Sequence, residues 1–404
     1  MAKVLRRIQP ELPVEVWWVI GVNTAMSIIF NFVSIFVNLY WWNQGNAIFL
    51  VSLFNLASTI ALFTSYLLGS HFLYRFSIRH VMVYSGVFAG LSFGALYFYN
   101  GTFRDTFGVA VGLMFGAAQG FFWAANNASM YTFLKSEQYA DYFSMNMVIA
   151  QGIAIIVPLI SAGIVAGVGF KGSFIIMLVF VVAGIGVSMK LPYRGLQESL
   201  FARIDAQEIF RKPGTKWVMV VVFCAGLVNQ FLALFSMIYI FTVSNNVGFV
   251  AFLNIGYSLV LVGALILYRR MGFSQDTWLV VGSLLILASY LIAWVSGHTE
   301  WNTVVVLLMR VGGLYFTGAS GRQRYRVIMQ GDVVWRTRLG LWMEIPFMLS
   351  RTVILVGALM VRSVGDGQFM VLAILSGLAL FSLPVFMRLS IRQYEAVQGV
   401  GTGL

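Results

Sequence analysis

Apolar runs long enough to cross a lipid bilayer recur along the 404-residue chain, and they limit its fold more than any other feature of the sequence. A transmembrane helix needs about 20 consecutive, mostly apolar residues. Twelve such spans are predicted, at 16–41, 47–69, 81–98, 106–134, 142–168, 173–190, 217–243, 248–267, 277–297, 303–321, 339–361 and 367–387. All are expected to be helices, because a helix satisfies its own backbone hydrogen bonds in lipid. The short alternating segments of a membrane β-barrel are missing from the sequence.

The composition excludes several classes of function. Hydrophobic residues make up 60% of the chain and charged residues only 10%, whereas soluble domains carry about 25% charged residues. The single cysteine, Cys224, permits no intrachain disulfide, and the three histidines are scattered in predicted loops. There is no Walker A sequence and no paired nucleophile and base. We therefore expect a membrane protein without catalytic residues, metal or cofactor, and with no nucleic acid partner.

The basic residues predict how the chain sits in the membrane. Of the 26 lysines and arginines, 21 fall on the side of the two termini, two lie within spans, and only Arg104, Lys171 and Arg362 fall on the other side. By the positive-inside rule, both termini are predicted to be cytoplasmic, in a multi-pass protein of the cell membrane. The net charge of +12 then comes largely from basic residues in the loops and termini on the cytoplasmic side.

The longest hydrophilic stretch divides the chain into halves. The predicted organisation is a six-helix bundle over 1–190, a central cytoplasmic loop over 191–216 and a second six-helix bundle over 217–404. Within the loop, residues 196–211 fit either an amphipathic helix on the membrane surface or a solvated linker.

The two halves share a short pattern at the end of their second span. Gly69 is followed by Tyr74 and Arg75, and Gly263 is followed by Tyr268 and Arg269 at a constant offset of 194 residues. Both halves start on the same side of the membrane, so they are predicted to be parallel repeats related by an axis along the membrane normal.

In length, span number, central loop and cytoplasmic termini, the whole chain resembles the major facilitator superfamily. The family's loop motif, Gly-x-Leu-Ala-Asp-Arg-x-Gly-Arg-Arg, is partly kept. In the first half, the corresponding segment from Gly69 to His80 keeps the glycine and two arginines of the motif but has no acidic residue. This difference marks a divergent member. The resemblance implies two bundles that alternate access to a central site, a monomer, and a conformational gating role for Gly69, Arg75, Arg79, Gly263, Arg269 and Arg270.

Polar side chains mark one face of the first span. Asn23, Ser27, Asn31, Ser34 and Asn38 follow each other at spacings of three and four. Three amides facing lipid would be costly, so this stripe is expected to face the bundle interior or a watery cavity. For any single asparagine, hydrogen bonding between helices remains the alternative.

The resemblance implies that spans 1, 4, 7 and 10 line a central cavity, and these spans are the richest in polar residues. Trp123 is included as a ring that can stack on the substrate, with core packing as its alternative. The predicted substrate-binding residues are Asn31, Gln119, Trp123, Asn126, Gln151, Asn229, Gln230, Arg310 and Arg351.

Charged residues within spans are few. Of 14 acidic residues, only Glu344 falls in a span, together with Arg310 and Arg351 among the basic ones. Glu344 is interpreted as a proton carrier, as a partner of a cationic substrate group, or as structural. Arg351 favours an anionic substrate, because guanidinium stays charged and binds carboxylates with two hydrogen bonds. A structural network of the two arginines is the alternative.

Glycines recur every fourth residue in span 4. Gly108, Gly112, Gly116 and Gly120 form a bare strip along the helix that allows another backbone to approach closely. Static packing is the favoured interpretation, and a surface for sliding during transport is the other.

Together these features predict an all-α secondary transporter for a small polar or anionic organic solute, coupled to protons through Glu344 or driven by another ion or by the substrate gradient. Export or flipping of drugs or of amphipathic or lipid-linked molecules is one alternative. A membrane sensor or assembly partner that transports nothing is another, and only the fold resemblance separates it from the first.

Overall fold

A computed structural model gives the fold and describes residues 13–45, 47–134, 138–194, 210–244, 246–295, 301–328 and 333–398. Most of the possible amphipathic helix at 196–211 lies outside these residues. The described part of the chain is helical and contains no strand, which confirms the all-α prediction.

Eleven helices in this part are long and apolar enough to cross a membrane. They are α1 Val14–Trp42, α2 Ala47–Arg75, α3 Ile78–Phe98, α4 Arg104–Phe133, α5 Tyr139–Ser188, α6 Thr215–Val243, α7 Val247–Arg270, α8 Gln275–Val295, α9 Trp301–Ile328, α10 Val333–Ala358 and α11 Gly367–Gln398.

Helix α5 accounts for the difference between eleven helices and twelve predicted spans. Its 50 residues contain the predicted span 142–168 and all but the last two residues of the predicted span 173–190, and the backbone between them leaves the helix at Gly169, with φ 71° and ψ 177°. Glycine adopts this conformation without the steric cost that a Cβ would bring. A straight helix of this length would measure about 75 Å, more than twice the thickness of the hydrocarbon layer. The kink therefore favours two crossings, and the total of twelve stays a prediction.

The chain forms two compact units. The first comprises Met1–Tyr40 and Ile60–Ser199, and the second comprises Trp41–Thr59 and Leu200–Leu404. The start of α2 thus groups with the second unit. The division into six-helix bundles at 1–190 and 217–404 stays a prediction.

The first unit is built around aromatic rings and glycines. Helix α1 packs on α5, and α3 packs on both α4 and α5. Phe32, Phe93 and Phe174 are fully buried and contact each other's ring edges and faces. All four glycines of the α4 strip are buried. At Gly120 a Cβ would lie only 2.4 Å from the backbone oxygen of Leu62, so α2 and α4 touch along their backbones.

The second unit is organised around α6, which packs against α9, α10 and α11. Its core includes the buried rings of Phe231, Phe235 and Phe369. Helices α8 and α9 approach closely where Gly282 meets Gly312, since a Cβ on Gly312 would lie 2.9 Å from the Gly282 oxygen. Small residues at such crossings let helices gain close van der Waals contact, which association in lipid depends on.

Asp366 caps the start of α11 and gives a test of stability against pH. Burial alone raises the pKa of this carboxyl, but backbone N–H groups outweigh it and lower the pKa below its ordinary value. The donors include Phe369 at 2.7 Å and Arg362 at 2.7 Å. A lowered pKa in the folded state stabilises the fold at neutral pH, and this contribution disappears as the pH falls through that pKa, below the ordinary value of about 3.9.

Replacing Asp366 by alanine is expected to cost about 1 kcal/mol of stability at neutral pH, as for other helix caps. In acid, the unfolding temperature of the purified variant should approach that of the unmodified protein. The control is Asp105→Ala, since Asp105 makes an exposed pair with Arg104, and such pairs contribute little. The capping role would be contradicted by an equal loss of stability in the two variants. It would also be contradicted if the loss in Asp366→Ala were as large in acid as at neutral pH.

Candidate functional site

In the first unit, three helices bring their amide groups together. Asn23 of α1 donates to the Tyr142 hydroxyl of α5 at 2.7 Å and more weakly to Asn146 at 3.4 Å. The Tyr142 hydroxyl donates to Asn126 of α4 at 3.4 Å. Asn23, Asn126 and Tyr142 are all buried. Of the predicted binding residues, Asn126 therefore belongs to a hydrogen-bonded network between helices.

Two acceptor atoms of α1 are left open in the described part of the chain. The side-chain oxygens of Asn23 and Asn31 are buried, and neither has a hydrogen-bond partner. A buried acceptor without a donor is costly, so both atoms are suited to water or to a ligand hydroxyl or N–H group. Between them and Asn38 the helix widens to a π segment at Val33–Val37. Such segments occur frequently at functional sites.

The remaining predicted binding residues of the first unit are partly exposed. Gln119 and Gln151 are half-buried. Trp123 is 44% exposed and contacts the edge of the neighbouring Phe122 ring. More than half of its surface is thus covered, and its role as a ring that stacks on the substrate stays a prediction.

In the second unit, Arg310 of α9 is held by α7. Its guanidinium donates to the Asn254 side-chain oxygen at 2.7 Å and lies 5.1 Å from the centre of the Tyr257 ring. Asn254 is itself buried and donates to the Val250 carbonyl. No carboxylate of the described residues lies within ion-pair distance of Arg310. Its positive charge is thus positioned by a neutral amide and a ring.

Arg351 of α10 has fewer partners. Its guanidinium carbon lies 3.9 Å above the centre of the Phe347 ring, one turn earlier on the same helix. The Nε atom is buried and makes no hydrogen bond in the described part of the protein. Arg351 and Arg310 therefore contact different helices and side chains, and no direct contact supports the alternative of one structural network between them.

Glu344 lies half-buried on α10, two turns before Arg351. It interacts electrostatically with Arg351 and with Arg324 at the end of α9. No described basic nitrogen approaches it within 4.0 Å. Glu344 and Arg351 therefore do not form a direct ion pair.

Asn229 and Gln230 lie on α6 and are half-buried. Asn229 accepts a hydrogen bond from the Thr317 hydroxyl of α9 at 3.1 Å. This contact joins α6 and α9 within the second unit.

The glycines and arginines predicted to gate the transporter differ between the halves. A Cβ on Gly69 would lie 3.0 Å from the Ala124 side chain, whereas a Cβ on Gly263 would meet nothing within 4 Å. Arg75, Arg269 and Arg270 are exposed at helix ends, and Arg79 is half-buried at the start of α3. Their gating role stays a prediction.

Sequence reasoning missed several groups that contact the predicted ones. Tyr142, Asn254 and Tyr257 were not selected, although Asn254 is a polar residue inside a predicted span and carried the same signal as Asn126. Phe347 was detectable by its spacing of four from Arg351. The described residues contain no group of three or more potential metal ligands.

Solved transporters share the fold of this chain. A POT family transporter in complex with 5-aminolevulinic acid matches with a TM-score of 0.69 and 11% identity over 94% of this chain and 96% of its own. The nucleoside transporter NupG matches with a TM-score of 0.66 and 14% identity over 93% and 99%. The E. coli fucose:proton symporter matches with a TM-score of 0.63 and 13% identity over 93% and 98%.

No family sequence profile matches the chain, and no curated protein matches it in sequence. The likeness to the solved transporters extends over nearly the whole chain and confirms the predicted resemblance at the level of the fold. The chain thus shares the fold of these solved transporters, at sequence identities of only 11–14%.

Proposed function

We propose that this protein is a secondary transporter that moves a small polar or anionic organic solute by alternating access. The observation that carries the proposal is Arg351: a positive charge in an apolar helix, stacked on Phe347, with a buried Nε that has no hydrogen-bond partner among the described residues. Ionisable groups at such depth in membrane proteins are usually functional. The shared fold supports transport as the activity, since the solved proteins with this fold named above are transporters.

Anion recognition follows from the properties of the guanidinium group. It stays charged at all physiological pH values and offers its N–H groups in a planar fork that fits a carboxylate or phosphate. Contact with the Phe347 ring restricts the Arg351 side chain, so that less side-chain entropy is lost when a ligand binds. Arg310 is already bonded to Asn254, and it adds positive potential rather than an open binding edge.

Glu344 is the proposed coupling residue if the transporter uses protons, because it is the only carboxylate predicted within a span. A uniporter or an anion exchanger needs no such group. Exchange driven by the substrate gradient is thus the second mode of this same proposed function.

Two experiments test the proposal, first a measurement of ligand binding and then a measurement of transport. The purified protein should be stabilised against thermal unfolding by small organic anions and not by cations of similar size, because a bound ligand stabilises the folded state by mass action. The stabilising anions should then be taken up by liposomes that contain the protein. Faster uptake under an inward proton gradient would support coupling through Glu344, and equal rates would remove it.

Two outcomes would favour one of the alternative functions. Stabilisation by amphipathic or lipid-linked compounds, together with failure of every small anion, would favour an exporter or flippase. Binding without any flux in liposomes would favour a sensor or assembly partner that does not transport.

A further inference from the structure

We propose that the exposed face of α11 in the second unit binds an anionic phospholipid. Its acyl chains lie along a stripe of apolar side chains, and its phosphate is bound by Arg388 and Lys216. The partner is a lipid of the surrounding membrane, so this surface does not depend on which solute the protein moves.

The first observation is a stripe of exposed apolar side chains on α11. They recur at spacings of three and four, which places them on one face of the helix, and each is 56–64% exposed. The stripe consists of Val371, Ile374, Leu378, Phe381 and Val385. It extends over about 21 Å, whereas the hydrocarbon of one leaflet is about 15 Å thick. In a multi-pass membrane protein, a face of this length and composition contacts lipid chains.

The second observation is the positive charge at the end of the stripe. Arg388 follows Val385 by three residues and continues the same face, with 65% of its side chain exposed. An arginine at the end of a lipid-facing stripe lies at the level of the headgroups, because its charge avoids the hydrocarbon. This is the end of α11 that is predicted to be cytoplasmic.

The third observation is the close contact between the end of α11 and the start of α6. The Ser390 hydroxyl donates to the Gly214 carbonyl at 2.9 Å. The rings of Trp217 and Phe386 stack with their centres 5.5 Å apart. The later residue of α11 contacts the earlier residue of the α6 segment, so the two segments run in opposite directions. A tryptophan here fits the boundary between lipid and water, where this residue is enriched.

The two contacts bring a second positive charge to the level of Arg388. Lys216 lies between the contacts on α6, and Arg388 lies between them on α11. Both side chains are exposed. One oxygen of Asp276 lies 3.8 Å from Arg388. Because this pair is exposed, it contributes little to stability, and the other N–H groups of the guanidinium are available to a phosphate.

An anionic phospholipid complements both parts of this surface. Its phosphate accepts charge-assisted hydrogen bonds from guanidinium and ammonium groups, and basic residues at the membrane surface attract anionic headgroups. A zwitterionic phospholipid carries the same phosphate together with a cation, which the two basic residues repel. A free phosphate ester has no chains to lie on the stripe. The basic end therefore selects the charge of the headgroup, and the stripe selects a lipid.

Native mass spectrometry of the full-length protein in neutral detergent tests the proposal, because one spectrum counts both bound lipids and protein copies. The probes are phosphatidylglycerol and phosphatidylcholine with identical oleoyl chains, and glycerol 3-phosphate as a headgroup without chains. We expect phosphatidylglycerol to bind about tenfold or more tightly than phosphatidylcholine, since two basic contacts favour it. Glycerol 3-phosphate is expected not to bind.

A double variant identifies the basic residues. Arg388→Gln combined with Lys216→Gln is expected to remove most of the preference for phosphatidylglycerol. The matched control is Lys190→Gln combined with Arg194→Gln, which removes two exposed basic residues just after α5, on the same predicted side of the membrane. The control has the same net charge as the double variant and should keep the preference.

Three results would overturn the proposal. Equal binding of the two phospholipids to the unmodified protein would make this face an unselective lipid contact, and this comparison needs no variant to fold. An equal loss of preference in the control would assign the preference to net charge alone. A dimer that forms without added lipid and excludes phosphatidylglycerol would identify a second copy of the chain as the occupant of the stripe.

Discussion

Replacing Arg351 by glutamine is expected to abolish ligand binding and liposome uptake while the protein still folds. Truncating one member of a buried, hydrogen-bonded charge pair typically costs about 2–5 kcal/mol of binding free energy, or about 30-fold or more in Kd. Folding should survive, because Arg351 makes no ion pair with the described residues and its ring contact is with Phe347 of its own helix. The unfolding temperature without ligand and the ligand-induced shift measure the two effects separately.

Arg351→Lys separates charge from geometry. Lysine keeps the positive charge and loses the planar fork that binds a carboxylate with two hydrogen bonds. We expect this variant to bind more weakly than the unmodified protein and more tightly than Arg351→Gln. The control is Arg392→Gln, which removes an exposed arginine of α11 and should leave binding unchanged. Unchanged affinity in Arg351→Gln would contradict the assignment.

Replacing Gly120 by leucine is expected to prevent correct folding of the first unit. A Cβ at this position would lie 2.4 Å from the Leu62 backbone oxygen and 2.7 Å from the Tyr66 backbone nitrogen. Backbone atoms cannot rotate away as a flexible side chain can, so α2 and α4 would have to separate along their contact. Even Gly120→Ala is expected to destabilise the protein, by about 1–3 kcal/mol as in other overpacked cores.

Gly94→Ala in α3 is the matched control, since a Cβ there meets nothing within 4 Å. Yield of monodisperse protein and unfolding temperature are the measurements. The same variants separate the two interpretations of the glycine strip. Failure of Gly120→Ala to fold stably favours static packing, whereas a stable protein that binds ligand but no longer transports it favours a sliding surface.

The helical class of the fold was predictable because the bilayer imposes a length and a composition that are visible in a single sequence. The break near residue 169 was also predictable to within a few residues, since glycine and Lys171 interrupt the apolar run there. The resemblance to major facilitator proteins came from span number and topology rather than from motifs, and the structure confirmed it for the fold.

The candidate site was predictable only in part. A charge in an apolar span is visible in the sequence, and this selected Arg310, Arg351 and Glu344. The partners were not visible, because helices that contact each other are distant in the chain: Asn254 lies 56 residues from Arg310, and Tyr142 lies 119 residues from Asn23. The different state of the two arginines, one bonded to an amide and one with an open donor, depends on these contacts.

The sequence by itself determined that the chain crosses a membrane as helices and that very few charges lie within its spans, because both properties follow from the transfer cost of each residue into lipid. Only the tertiary structure decided which of those charges are satisfied. Hydrogen bonds act over about 3 Å between atoms that folding brings together, and composition carries no record of those distances. The charge of Arg351 is a property of the sequence, whereas its open Nε beside Phe347 is a property of the fold.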